Sequence, residues 1–394
     1  MFILVILGFL CYHNMTKYIN ERLQIMNFIE LGINQDMVNK LNSQGIKTPT
    51  SIQGKCIPII MEGKDVIAEA ATGTGKTLGF LLPVFENINS KSKDIQVLIL
   101  TPTRELALQI SKEAESLKEG TDINILAAYG GKDIGSQLNK LKGNIHIVIA
   151  TPGRLLDHLA RKTISLSNLK TFVLDEADQM LLMGFKNDVE DIKKVCPKKH
   201  QTLCFSATMD SQVKKLAYRY MNEPSIVSVE RASVTLDNIK QEVVETTDRW
   251  KQASLKKVLS EDNPFMALIF CRTKRRADDL ELGLAQAGYD VVKLHSDVPQ
   301  NKRERIMKNF RDAKIQYLIA TDVASRGIDI TGVSHIYNYD IPETVEAYIH
   351  RIGRTGRAGE EGYTCLFIDP KDKYLLDQIE NRIKMKISRR EISL

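Results

Sequence analysis

The chain has six cysteines but no C-x-x-C pair, and none of its seven histidines stands at metal-ligand spacing. That excludes zinc-finger and disulfide-framework readings. Cys204, Cys271 and Cys365 lie inside apolar runs ("TLCF", "LIFC", "YTCLF") and read as small core residues in a reducing compartment, so a cytoplasmic protein is expected. No apolar stretch reaches the roughly 20 residues that a spanning helix needs, so no integral membrane association is expected. The opening "MFILVILGFLCYH" is apolar for about eleven residues and lacks the basic n-region and cleavage site of a signal peptide. It is expected to lie outside the working protein, with translation starting at Met15 or Met26; a peripheral anchor is the rival reading. Excess charge of one sign is scarce too. A net charge of +6 permits a nucleic-acid partner without requiring one. No low-complexity segment or short-period repeat is present.

What is present is an ordinary soluble composition, 43% hydrophobic and 26% charged, over 394 residues, which is room for two domains. Short apolar runs alternate with helical patterns: "DVIAEA", "QVLIL", "INILAAY", "IHIVIA", "TFVLD", "TLCFS" and "SIVSV". After residue 231 the pattern restarts with "QEVVET", "MALIFC", "DVVKLH", "QYLIAT", "SHIYNYD" and "YTCLFI". Near-continuous apolar strands separated by helices indicate parallel sheets covered on both faces. Two α/β domains are therefore expected, over 26–229 and 240–394, after an extension of residues 1–25. The polar stretch "ERASVTLDN" marks the linker, 230–239. Several strands end in Thr followed by polar, Pro or Gly residues, as in "LILTPTRE", "VIATPGR" and "LIATDVASRG". Ligands of parallel α/β sheets bind beyond the carboxyl ends of the strands, so these turns are where chemistry is expected.

The loop "AATGTGKT", Ala70, Ala71, Thr72, Gly73, Thr74, Gly75, Lys76 and Thr77, follows a strand and opens a helix. Its glycines let backbone N–H groups face inward, and the helix N-terminus adds positive potential, which makes an anion cradle. Lys76 would reach the β- and γ-phosphates and Thr77 would ligate Mg²⁺. The pattern G-x-x-x-x-G-K-[ST] is met except for Ala70 in place of the first glycine. In "TFVLDEADQML" a core strand runs into Asp175, Glu176 and Asp178. Those acids could be the solvated start of a helix. Beside a phosphate cradle they gain a second reading: Asp175 as the Mg²⁺ holder and Glu176 as the group that orients and polarises the attacking water.

The motifs "PTSIQ" (49–53), "PTREL" (102–106), "GG" (130–131), "TPGR" (151–154), "DEAD" (175–178), "SAT" (206–208), "ATDVASRGID" (320–329) and "HRIGRTGR" (350–357) occur in that order. Together they resemble the DEAD-box family of RNA helicases, from roughly residue 26 to the end. The resemblance implies two tandem RecA-like domains using ATP and Mg²⁺ on RNA, as an RNA-stimulated ATPase that unwinds short duplexes. It implies that Gln53 reads adenine, through N6 and N7, and that Phe28, 17 residues before Gly45, stacks on the base. Pro102, Thr103, Arg104, Gly130, Gly131, Thr151, Pro152, Gly153 and Arg154 match the family's RNA-facing loops in the first domain. Arg272, Gln300, Arg303 and Thr321 match those of the second. Ser296 replaces the usual glycine of its loop. Gly327 and Asp329 match positions near the phosphates and ribose. Asp178, Ser206, Thr208 and His350 look like the relay between the ATP and RNA sites. Arg351, Arg354 and Arg357 stand three apart, on one face if helical. Arg354 and Arg357 are the candidate arginine fingers. A DNA helicase of the same superfamily, an ATP-gated RNA clamp with incidental unwinding, and an unrelated P-loop NTPase remain as rivals. No appended domain that would select a particular RNA is read from the sequence.

Overall fold

The computed structural model describes residues 26–71, 73–131, 143–209, 211–229, 238–325, 333–356 and 361–393. The extension 1–25, nearly all of the linker, and the site candidates Thr72, Gly327, Asp329 and Arg357 lie outside the described residues. The chain divides into two compact units, Met1–Arg231 and Ala232–Leu394. Among the described residues no helix is long and apolar enough to cross a membrane.

The first unit carries β1 (Val66–Glu69), β2 (Val97–Leu100), β3 (Ile125–Ala128), β4 (Ile147–Ala150), β5 (Thr171–Leu174), β6 (Gln201–Ser206) and β7 (Ser225–Ser228). They form one sheet in the order β3-β4-β2-β5-β6-β1-β7, with every pairing parallel. Side chains of a strand alternate between faces. Val97, Ile99, Ile147, Ile149 and Val173 accordingly join one core with Phe28 and Phe80. Leu98, Leu100, Val148, Phe172 and Leu174 join the core on the opposite face. Burial on both sides is why these strands read as unbroken apolar runs. Each such side chain contributes about 1.5–3 kcal/mol of transfer free energy when fully buried.

The second unit carries β8 (Ile239–Glu245), β9 (Ala267–Cys271), β10 (Val291–Leu294), β11 (Tyr317–Thr321), β12 (His335–Asn338), β13 (Gly362–Ile368) and β14 (Ser388–Arg389). Their order is β10-β11-β9-β12-β13-β8-β14, again parallel throughout. Replacing each number n of the first order by n + 7 reproduces the second. β14 lies beyond "YTCLFI", the last strand read from the sequence. Glu380 accepts from Ile387 N–H (3.1 Å) and Arg389 Nη1 (2.7 Å), and so turns this segment onto the edge of β8.

Candidate active site

The turn after β1 is the glycine loop read as a phosphate cradle in the sequence. Gly73 and Gly75 have φ of 80° and 89°, and Gly75 caps the helix Lys76–Asn87. A Cβ at Gly75 would lie 2.5 Å from Gln53 Nε2, so both backbone sign and space demand glycine there. Lys76 is buried and donates to the Ala70 carbonyl at 2.6 Å. Thr74 Oγ1 donates to Ala71 O at 2.8 Å, and Thr77 is half-buried in the first turn of the helix.

Gln53 does more than the sequence reading expected. Its Oε1 accepts the Thr50 N–H at 2.9 Å, closing a capping box at the start of the helix Ser51–Met61. Its Nε2 donates to the Gly75 carbonyl at 3.0 Å. One buried amide therefore fastens a helix start to the phosphate loop. The T-x-x-Q spacing at 50–53 was a readable capping signal; the tether to Gly75 had none.

The acids follow β5, separated from β1 in the sheet by β6. Asp175, Glu176 and Asp178 are all buried. Glu176 takes a left-handed conformation, φ 52°, ahead of the helix Ala177–Leu182. Its N–H donates to Asp175 Oδ1 at 3.0 Å. Burial pushes the Asp175 carboxyl up to about 6; the Lys76 ammonium and the Glu176 N–H pull it back, and Asp178 pushes the same way as burial. Asp178 is held from the end of β6. Thr208 Oγ1 donates to Asp178 Oδ2 at 3.1 Å, Ser206 Oγ accepts the Asp178 N–H at 3.3 Å, and the same hydroxyl donates to Thr208 O at 2.7 Å. Asp178, Ser206 and Thr208 are thus brought together within the first unit. His350 lies half-buried in the second, on the helix Val345–Ile352.

A crowded, buried carboxylate turn facing a lysine suits a dication held by oxygen. Among the described residues no group of three or more His, Cys, Asp or Glu could hold a metal alone. Mg²⁺ does not need one, because it is bound through one or two protein oxygens together with substrate phosphates and water. Thr77 and Asp175 are the residues of this chain that fit it.

The turns after β2, β3 and β4 lie side by side. Thr103 Oγ1 accepts the Leu106 N–H at 3.3 Å and caps the helix Arg104–Leu117, behind Pro102. Arg104 is exposed, and its guanidinium lies against Gly130, where an added Cβ would sit 3.2 Å from Nη2. Gly131 follows with φ 86°. Thr151 precedes the helix Pro152–Ala160, and Arg154, one turn in past Gly153, pairs with Asp157 at 3.8 Å.

The family profile described as "DEAD/DEAH box helicase" matches residues 50–216, and that described as "Helicase conserved C-terminal domain" matches 250–359. The chain is 45% identical over 364 residues to the DEAD-box ATP-dependent RNA helicase CshA of Bacillus subtilis, covering 92% of this chain and 74% of that protein.

The chain belongs to the DEAD-box ATP-dependent RNA helicases.

It is also 44% identical to ATP-dependent RNA helicase CshA of Listeria monocytogenes, over 91% of this chain and 69% of that one. Among solved structures, S. cerevisiae Dbp5 bound to RNA and ADP BeF3 has a TM-score of 0.83 at 30% identity, covering 92% of this chain and 95% of that chain. Mss116p bound to ssRNA and AMP-PNP has a TM-score of 0.83 at 31% identity, covering 93% and 80%.

In this helicase three placements differ from expectation. Phe28 is 1% exposed, inside the apolar cluster with Leu31, Ile33 and Ile52, and presents no face on which a base could stack in this conformation. An aromatic ring carries too much apolar area to leave in water when a core is at hand. Arg303 is 6% exposed; its Nη1 donates to His295 O at 2.9 Å and its Nη2 reaches Ala324 O at 3.5 Å. It fastens the turn after β10 to the turn after β11 instead of facing a phosphate. Arg351 and Arg354 of "HRIGRTGR" do not share a helical face, because the helix ends at Ile352 and Arg354 falls in the following turn. Arg351 is buried.

Of the other second-unit candidates, Arg272 and Thr321 sit at strand ends and Gln300 at a helix start. Arg272 follows β9; its N–H donates to Asp340 Oδ2 at 2.9 Å and its Nη2 to Ile341 O at 3.3 Å. Thr321 closes β11 and is buried. Gln300 opens the helix Gln300–Arg311 with Nε2 turned along it to Glu304 Oε1 at 3.2 Å. Asp340 and Asp322 were missed by the sequence reading. A lone Asp after a strand carries no signal of what it pairs with.

Proposed function

We propose that this helicase works as a clamp that closes on single-stranded RNA when ATP is bound, bends it so that a paired strand leaves, and reopens on hydrolysis. The phosphates would lie on the loop Ala70–Thr77, with Lys76 turning from the Ala70 carbonyl to the β- and γ-oxygens. Gln53, already anchored to that loop, would pair with the adenine edge through its remaining amide proton and lone pair. Mg²⁺, bound through Thr77 and Asp175, would neutralise charge on the phosphate oxygens. Glu176, beside Asp175, would orient the water in line with the leaving phosphate. Arg354 and Arg357 would supply the donors that meet charge developing on the γ-phosphoryl group. A planar, permanently charged fork suits that task. Gly327 and Asp329 would approach the phosphates and ribose.

RNA would lie along Pro102–Arg104, Gly130–Gly131 and Thr151–Arg154 of the first unit and Arg272, Gln300 and Thr321 of the second. Contacts to phosphate position a strand without reading its sequence. Because ATP and RNA each touch both units in this scheme, each favours the closed form and raises the affinity of the other. The observation that carries this reading is the Asp178–Thr208–Ser206 constellation. It physically joins the turn that holds the nucleotide acids to the end of β6. The test is RNA affinity with a non-hydrolysable ATP analogue, for wild type, Arg357→Ala and Glu176→Gln. Glu176→Gln should hold RNA longer with ATP, because closure survives and hydrolysis fails. Arg357→Ala should lose RNA-stimulated turnover by roughly 10³-fold or more. If the analogue leaves wild-type RNA affinity unchanged, the clamp is wrong.

A further inference from the structure

We propose that the Asp322–Arg351 ion pair is the coupling element of the second unit, tying the turn that carries Thr321 to the segment that carries Arg354, so that RNA on the first sets the position of the second. The inference rests on the clamp reading above.

Arg351 is 2% exposed. Its Nε and Nη2 donate to the two carboxylate oxygens of Asp322 at 2.6 and 2.7 Å, a fork-to-fork pair. Its Nη1 donates to Asn338 Oδ1 at 3.0 Å and to Asp340 O at 2.7 Å. Its guanidinium lies 4.9 Å from the centre of the Phe270 ring. A single side chain therefore touches β9, β12 and the turns after β11 and β12.

Both ends of this hub lead to groups with assigned tasks. Asp322 is the residue after Thr321, and Asp340 takes the N–H of Arg272. Thr321 and Arg272 are the residues given to RNA phosphates. On the other side, the Arg354 N–H donates to the Arg351 carbonyl at 3.1 Å, so the backbone of the finger hangs from the hub. The four-residue helix Asp322–Ser325 is gripped a second time, by Arg303 at the Ala324 carbonyl. A bidentate pair fixes angle as well as distance, so a shift of the Asp322 turn must rotate or translate Arg351. Arg351 is buried and Asp322 partly so, and partly buried pairs are screened much less than exposed ones, so the pair keeps its geometry at ordinary ionic strength. Such pairs add little net stability compared with apolar packing, which makes geometry the main contribution of this one.

The test uses the full chain and compares Asp322→Asn with wild type. Asn keeps the volume and removes the charge. Basal turnover, KM for ATP and nucleotide-free RNA affinity should stay within about twofold, while RNA-stimulated kcat and the tightening of RNA by an ATP analogue each fall about tenfold. Arg351→Lys keeps the charge without the fork, so it should match Asp322→Asn, and the double variant should be no worse than either. Thermal melting checks folding, and Arg351→Lys serves if Asp322→Asn fails to fold. The proposal is overturned if a folded variant keeps wild-type stimulation and tightening. It is equally overturned if basal turnover, KM for ATP and nucleotide-free RNA affinity change as far as RNA-stimulated kcat does, the mark of a merely structural pair; some loss of melting temperature is expected in either case, because a buried arginine loses its partner. Failure of the clamp itself would show differently, as absence of ATP-linked tightening in the wild type.

Discussion

The two units share one strand order, yet their turns differ. After β1 comes the glycine loop and Lys76, the first residue of its helix; after β8 comes "TTDRW" and Lys251, also the first residue of its helix. Both lysines are buried. Lys76 reaches a loop carbonyl, whereas Lys251 stands 3.7 Å from both Asp248 and Asp340. Asp340 follows β12 much as Asp175 follows β5, but Arg276 at 2.8 Å and the Arg272 N–H hold it as well. The capping threonines repeat too: Thr103 opens the helix after β2, and Thr273, through the Arg276 N–H at 3.2 Å, opens the helix after β9. A common scaffold thus presents a lysine and an aspartate at equivalent ends in both units. In the first, a loop without charged residues of its own leaves them open for the proposed nucleotide. In the second, carboxylates and arginines have closed the same corner.

The largest expected effect breaks that pair of lysines apart. Lys76→Ala should lower RNA-stimulated ATP turnover by about 10³-fold, since it removes a donor to transferring phosphate. Lys251→Ala should leave KM for ATP alone and cost on the order of 3 kcal/mol of stability, because the buried Asp340 loses a partner. Steady-state kinetics and denaturant melts of both variants check it; a nucleotide defect in Lys251→Ala would break the comparison.

Next come the arginines. Arg303→Ala should destabilise by about 2–4 kcal/mol through lost buried hydrogen bonds and a cavity. Arg104→Ala should leave the melting temperature unchanged, weaken RNA binding, and reduce the salt dependence of that binding by about one ion. Salt titrations of RNA affinity alongside melts separate the two.

A smaller effect concerns Asp175. Its carboxyl is raised to about 6 in the metal-free protein, so lowering the pH through that value protonates it and should weaken Mg²⁺ binding about tenfold per further pH unit. The stability effect has the opposite sign. The fold binds this proton more tightly than the unfolded chain does, so the contribution is full below the ordinary carboxyl value and is lost as pH rises through about 6. Asp175→Asn should remove that part of the pH dependence of melting. The smallest effect is that of Phe28→Leu, expected to cost about 1 kcal/mol of stability without changing KM for ATP. A clear rise in KM would return Phe28 to the nucleotide.

Much of the site was legible because its pieces are contiguous. Strand, glycine loop and helix at 66–87 follow one another, and so do strand, acids and helix at 171–182. Local order of that kind needs no knowledge of neighbours. The arginines were less legible. Arg104, Arg303 and Arg351 look alike on paper, and the spacing of 351, 354 and 357 suggests one face only if the helix continues. Phe28 was readable as core or as a stacking surface, and its apolar neighbours decided for the core.

By itself the sequence determined a glycine loop that opens a helix, an acid-bearing turn and two series of parallel strands, each written in residues that lie close along the chain. Only the tertiary structure decided which charges face water and which are buried. That depends on sheet order. β12 lies beside β9, which brings Asp340 to Arg272 across 68 residues, and β11 on the other side of β9 brings Asp322 to Arg351. A buried charge persists only where a partner from a distant strand meets it, and partners at that separation leave no pattern in a linear reading.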